Sequence, residues 1–140
     1  LTKKNIIRFL APFTILIVVA MFIYNIATHG HIQHPGKTTY ERECAQCHGD
    51  KGEGIQSLIP PLVNSDFAIQ NFDSIPCWIK NGINRPITVN GKEYEQPMYG
   101  LKIDEIETGN VINYINSEFL HTERTINSAW VKAQWQNCDK

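Results

Sequence analysis

From Phe9 to Ala27 the chain reads FLAPFTILIVVAMFIYNIA, a run free of Asp, Glu, Lys and Arg. As a helix at 1.5 Å per residue it reaches roughly 28 Å, close to the thickness of a hydrocarbon core. Arg8 can snorkel at one end, Tyr24 suits the other interface, and Pro12 falls near the first turn, where a missing N–H costs least. The pattern predicts a transmembrane helix over 9–27. Its competitor, a cleaved signal peptide, wants a shorter apolar core and a small-x-small cleavage site, and residues 25–31, NIATHGH, supply none. The leader 1–8 carries Lys3, Lys4 and Arg8, so the positive-inside rule puts the N-terminus in the cytoplasm and the remainder outside.

Beyond a linker at 28–35 the periodicity changes. Thr38-Thr39-Tyr40-Glu41 has the form of a capping box opening a helix. The stretch from Gly49 to Gly54 is too rich in turn residues for helix or strand. Residues 72–83 predict a short helix starting at Asp73 or Ser74, with Pro76 in its first turn and its end at Asn81-Gly82. Ile87 to Tyr94 places Asn90-Gly91 between β-prone runs, the signature of a hairpin. From Leu101 to Phe119 a final helix is expected, with Thr108, Val111, Ile112, Ile115 and Phe119 on one face and Asp104 and Glu105 in its first turn. An extension, 121–140, carries one more short helix from Ala129 to Gln136 that turns Trp130, Val131 and Trp135 back on the domain.

Charge narrows the partners. Of the 13 Lys and Arg, three lie in the leader, leaving ten against 14 Asp and Glu, a net of −4 outside the membrane. That balance excludes nucleic acid. The 140 residues allow one small domain after the anchor, a size at which a cofactor or a disulfide adds much to a modest core.

Cys44-Ala45-Gln46-Cys47-His48 supplies the cofactor. Two thiols three residues apart on a helical turn can form thioethers to two porphyrin vinyls, and the adjacent imidazole can then ligate the iron. From the chain's own Cys and His frequencies, chance would produce this pattern roughly 0.004 times. A zinc site would need a second such pair, and Cys77 and Cys138 stand too far apart to make one. In an oxidising compartment those two are instead candidates for a disulfide stapling the extension beside the 72–83 helix. His29, His31 and His34 alternate in the linker, a spacing that suits a flexible tether better than a metal site.

With these residues in view, most of 36–120 resembles the class I c-type cytochromes. The resemblance implies an all-α fold, three to five helices round one covalently attached haem c, here with a small β-hairpin and preceded by one N-terminal transmembrane helix. Gly36 and Tyr40 match the first helix of the family where it meets the last, with Gly109 and Tyr114 as their counterparts. Ile59-Pro60-Pro61-Leu62 is similar to the element in which the Pro60 carbonyl would accept the His48 ring N–H and Leu62 would pack on the porphyrin. The sixth iron ligand falls on Met98. Only two Met exist, Met21 lies within the apolar run, and the family places its axial Met just before the last helix, though Tyr99 stands where Pro usually follows. Trp78 and Arg85 lie between haem-contacting elements, where an indole N–H or a guanidinium could hold a propionate.

The resemblance implies an electron-transfer protein rather than an enzyme, passing electrons between respiratory donor and acceptor complexes, towards a haem-copper terminal oxidase. Its expected place is the inner membrane, single-pass, with the haem domain on the periplasmic side. Two alternatives stay open. A haem enzyme or gas sensor with an open sixth position would need a distal His or Arg, and His121, in the extension, is the only further His of the domain. A haem subunit of a larger respiratory complex would use the same motifs.

Overall fold

The computed structural model describes the backbone of residues 3–29 and 34–138, with side chains over 12–26 and 34–138. Two units divide the chain, Leu1–Ile32 and Gln33–Lys140. The described residues of the first form one helix, α1 (Lys3–His29). Its described side chains, 12–26, are all exposed, and among the described residues no helix is long and apolar enough to cross a membrane. The transmembrane helix expected over 9–27 is therefore not found among the described residues. The side chains of residues 1–11 and 27–33, those of His29 and His31 among them, lie outside the described residues.

The second unit begins with α2 (Pro35–Glu43). Its start corrects the expected capping box at Thr38: Pro35 takes the first helical position, where its fixed φ is already helical, and His34 caps the end, its Nδ1 accepting from the Gly36 N–H at 3.3 Å. Thr39 is consequently buried inside the helix. After a bend at Cys44 the chain enters α3 (Ala45–His48), and Gly49, at φ 79°, ends it. A loop leads to α4 (Asp66–Gln70), capped by Ser65, then through a tight turn at Phe72–Ser74 to α5 (Ile75–Asn81).

Four short strands follow. β1 (Gly82–Ile83) pairs antiparallel with β4 (Met98–Tyr99), and β2 (Ile87–Val89) pairs with β3 (Lys92–Tyr94) in the expected hairpin. Asn90 and Gly91, at φ 51° and 76°, make its left-handed turn. The hairpin is pinned to α4 by a reciprocal pair, Asp66 N–H to Asn90 Oδ1 at 3.1 Å and Asn90 N–H to Asp66 Oδ1 at 2.7 Å.

The last helix of the domain is shorter than the pattern suggested. α6 (Glu105–Ile115) starts after Asp104, whose carboxylate accepts from the N–H groups of Ile106 and Glu107, so Asp104 is the cap rather than part of the first turn. A wider π turn over Asn116–Leu120 ends it. The predicted face is the core: Val111, Ile112, Ile115 and Phe119 are buried with Tyr40, Phe72, Ile75 and Ile79. α2 crosses α6 with backbones in contact. A Cβ on Gly36 would overlap the Asn110 carbonyl and come within 2.8 Å of Tyr114 Cβ.

Gly109 departs from its expected role at that crossing. It faces the extension, and an added Cβ would lie 3.6 Å from both the Asn127 carbonyl carbon and Val131 Cγ2. The extension folds back as α7 (Ser128–Trp135), one residue offset from the predicted 129–136, with Val131 fully buried. Asn116 and Asn113 steer the return: the first donates to the carbonyls of Thr122 and Arg124, the second exchanges hydrogen bonds with the Ile126 backbone. Cys77 and Cys138 are joined in a disulfide that ties α7 to α5.

Candidate functional site

The site starts from α2. Its hydrogen-bond ladder runs on through the bend, Cys44 N–H to Tyr40 O at 2.8 Å and His48 N–H to Cys44 O at 2.9 Å, so Cys44, Cys47 and His48 share one turn with a rigid lead-in. Cys44 is half-buried and Cys47 exposed, and both are free thiols. Burial first, then the Glu43 carboxylate and Cys47, push the Cys44 thiol up to about 12.

His48 is oriented from the other side. Gly54 N–H returns to the His48 carbonyl at 2.8 Å, and the loop then carries Pro60 to the imidazole, where His48 Nδ1 and Pro60 O lie 3.1 Å apart. A carbonyl can only accept, so Nδ1 carries the proton and Nε2 keeps its lone pair. Burial pulls the His48 pKa below its ordinary value, and the bond to Pro60 opposes that shift. The imidazole is thus neutral and aimed, the state a metal ligand needs. Leu62, half-buried, packs on the core and donates its N–H to Gly52 O at 2.8 Å, closing the loop below His48.

This donor set fits a covalent haem c. Two of the four cysteines are consumed by the bridge, the other two sit on the turn that ends in a neutral, oriented imidazole, and the loop offers apolar side chains at Ile55 and Leu58, 44% and 53% exposed. Cys44, Cys47 and His48 would hold the group; Pro60 sets the tautomer.

The remaining candidates are distributed over other elements. Met98 is a residue of β4, half-buried, paired with Ile83 of β1, in place of the irregular loop its Pro and Gly neighbours suggested. The reason is α5: Gly82, at φ 81°, turns the chain so tightly that a Cβ there would overlap the Met98 carbonyl, and Leu101 N–H reaches Ile79 O at 2.7 Å. Trp78 is half-buried and stacks on Phe67, ring centroids 4.8 Å apart and planes at 14°. Arg85 is exposed on the connection from β1 to β2.

Three supporting hydrogen bonds have no counterpart in the sequence patterns. Tyr40 donates its hydroxyl to Gly49 O at 2.6 Å, bracing the attachment turn. Lys92 of the hairpin donates to Gln56 O at 3.2 Å, tying the haem-side loop to β3. Trp135 donates its indole N–H to Pro76 O at 3.0 Å. Each joins residues distant in sequence, and no local pattern announces them.

Known proteins give the site a family. The chain is 28% identical over 87 residues to the cytochrome c subunit of the quinone alcohol dehydrogenase of Gluconacetobacter polyoxogenes, and equally to that of Komagataeibacter europaeus. The match takes in 61% of this chain but 19% of each relative, so the chain spans about a fifth of their length. The family described as Cytochrome c matches residues 33–118, the unit that begins at the cap of α2 and ends in the last turn after α6. By that match, with the CAQCH turn and its braced imidazole inside it, the chain belongs to the cytochrome c family.

Proposed function

We propose that this protein is a single-haem electron carrier held at a membrane by α1, with its haem domain on the periplasmic side of an inner membrane, serving respiratory donor and acceptor complexes. The observation that carries the reading is the imidazole of His48, neutral and fixed by Pro60 on the same turn as two free thiols. Bound there, haem c would supply a one-electron iron(III)/iron(II) couple. The chain's own part is to keep that couple simple. Cys44 and Cys47 would hold the group covalently, and His48 and Met98 would supply an imidazole and a thioether to its iron. A soft thioether favours iron(II) and raises the potential, as a carrier feeding a haem-copper oxidase requires. With both of those ligands in place the iron would have no position left for substrate, which favours a carrier over an enzyme or gas sensor.

The leader's Lys3, Lys4 and Arg8 and the apolar run after them support the anchor and its orientation. Anchoring would confine the carrier to the plane of its partners and raise its effective concentration there. Recovery from membranes by detergent but not by alkaline wash is the expected behaviour, and full release by the wash would remove the anchor.

The test of the site is Met98→Ala. The wild type should show the thioether–iron(III) charge-transfer band and resist carbon monoxide. The variant should keep covalent haem, lose the band, fall in potential and bind carbon monoxide. A wild type that lacks the band and binds carbon monoxide overturns the assignment.

The named relatives favour a second reading, a haem subunit of a quinone-linked dehydrogenase complex. Co-purification of the chain with a dehydrogenase subunit after mild detergent extraction would select it over the free carrier.

A further inference from the structure

The extension lies outside the matched family region, which ends at residue 118, yet it is fastened to one element in three ways. The Cys77–Cys138 disulfide joins it to the first turns of α5. Trp135 donates its indole N–H to Pro76 O at 3.0 Å, in the first turn of the same helix. Lys80, near the other end of α5, sets its ammonium 4.9 Å from the centre of the Trp135 ring. Trp135 thereby grips both ends of a helix of two turns.

α5 in turn holds the segment containing Met98. β1 continues directly from α5 and pairs Gly82 with Tyr99 and Ile83 with Met98. Gly100 lies against the Lys80 carbonyl so closely that a Cβ would overlap it, and Leu101 N–H donates to Ile79 O at 2.7 Å. On both sides of Met98 the backbone is clasped to α5 or to the strand leaving it. Short paired segments of two residues have little stability of their own, so their position is set by the element they are clasped to.

We propose that the C-terminal extension is a positioning device for the axial thioether: Trp135 and the Cys77–Cys138 bridge fix α5, and α5 fixes the height and orientation of Met98. This rests on Met98 being the sixth ligand. The contacts of Trp135 and the bridge are with Pro76, Lys80 and Cys77 of α5. They act by reducing how often the β4 segment lifts away, and so how often an exogenous ligand can take the sixth position.

The experiment uses full-length haem-loaded protein, oxidised, with cyanide as the entering ligand. Trp135→Phe keeps the ring and removes the N–H donor to Pro76. It should raise the rate of cyanide binding about tenfold, near the upper effect of one lost hydrogen bond, and weaken the thioether–iron(III) band. The Cys77→Ser/Cys138→Ser double variant should move both readouts further in the same direction. Phe119→Leu, a core truncation where the ring packs on Tyr40 and Tyr114, serves as the control for general loosening. If Trp135→Phe and the double variant bind cyanide at the wild-type rate, or no faster than Phe119→Leu, the positioning role is overturned. If the wild type lacks the band altogether, it is the Met98 assignment that fails. Should the double variant not accumulate, Trp135→Phe alone decides.

Discussion

α6 is crossed on two sides by helices that each meet it near a glycine, and the two crossings work differently. At Gly36 the backbone of α2 lies against the Asn110 carbonyl with no room for a methyl group. At Gly109 the nearest atoms of the extension stand at 3.6 Å, an ordinary contact distance for a Cβ. The first crossing is made by backbone shape and leads, through α2 and the Cys44 bend, straight to the attachment turn. The second is made by side chains and a covalent staple. Val131 fills the core, Asn113 and Asn116 hold the return, and the disulfide closes it. Close fit fixes the haem-attachment side, while cross-links fix the side that presents Met98.

If cross-links hold the second crossing, removing the bridge should have the largest effect on stability. Cys77 and Cys138 are 61 residues apart, and opening that loop costs about 4 kcal/mol in the chain-entropy model. Urea unfolding of Cys77→Ser/Cys138→Ser should shift to lower midpoint by that amount. A shift below about 1 kcal/mol would show that α7 docks by packing alone, against a typical 2–4 kcal/mol for native bridges.

The glycines sharpen the contrast as a pair. Gly36→Ala forces a methyl into the Asn110 carbonyl, and backbone cannot yield as a flexible side chain can, so about 3 kcal/mol should be lost. Gly109→Ala has space and gains helix propensity, so it should be neutral or stabilise by up to about 1 kcal/mol. Equal losses at the two positions, read from the same denaturation curves, would erase the distinction.

This difference also explains what could be read from sequence. The CAQCH turn, the Pro60 element, the Asn90-Gly91 hairpin and the buried face of α6 are local patterns, each set by a few neighbouring residues. The start of α2 differs from the pattern because Thr38 to Glu41 satisfy a capping box, while His34 with Pro35 satisfies the same need four residues earlier. Gly109 is expected at the α2 crossing only from the resemblance, and the extension that it meets instead lies beyond the matched family region. The β1–β4 clasp was invisible for a plainer reason: two-residue strands carry no period, and Gly82 meets Met98 only after α5 has folded. Likewise nothing near Trp135 points to Pro76.

Tyr40 offers the smallest effect and the finest test of the tight crossing. Its ring is fully buried between Tyr114 and Phe119, with centroids 5.3 and 5.1 Å away, and its hydroxyl donates to Gly49 O at 2.6 Å. Burial, the largest cause, raises its pKa above the ordinary 10.0, and nearby Cys44, Tyr114, Glu53 and Asp50 push the same way. The folded state therefore holds the phenol proton more tightly than the unfolded chain does. Stability from this group is complete below pH 10 and is lost as pH rises from there towards the higher folded value. Tyr114 is raised for the same first reason and adds to the loss. Tyr40→Phe should cost about 1 kcal/mol at neutral pH, the net worth of one hydrogen bond. Above pH 10 the gap should narrow, because Phe has no proton to lose and only Tyr114 continues to destabilise the variant. Denaturation midpoints at neutral pH and at successive steps above pH 10 measure both parts. If the gap between wild type and variant stays constant across that range, the hydroxyl is not sealed in the crossing, and the close fit of α2 on α6 ends short of the attachment turn.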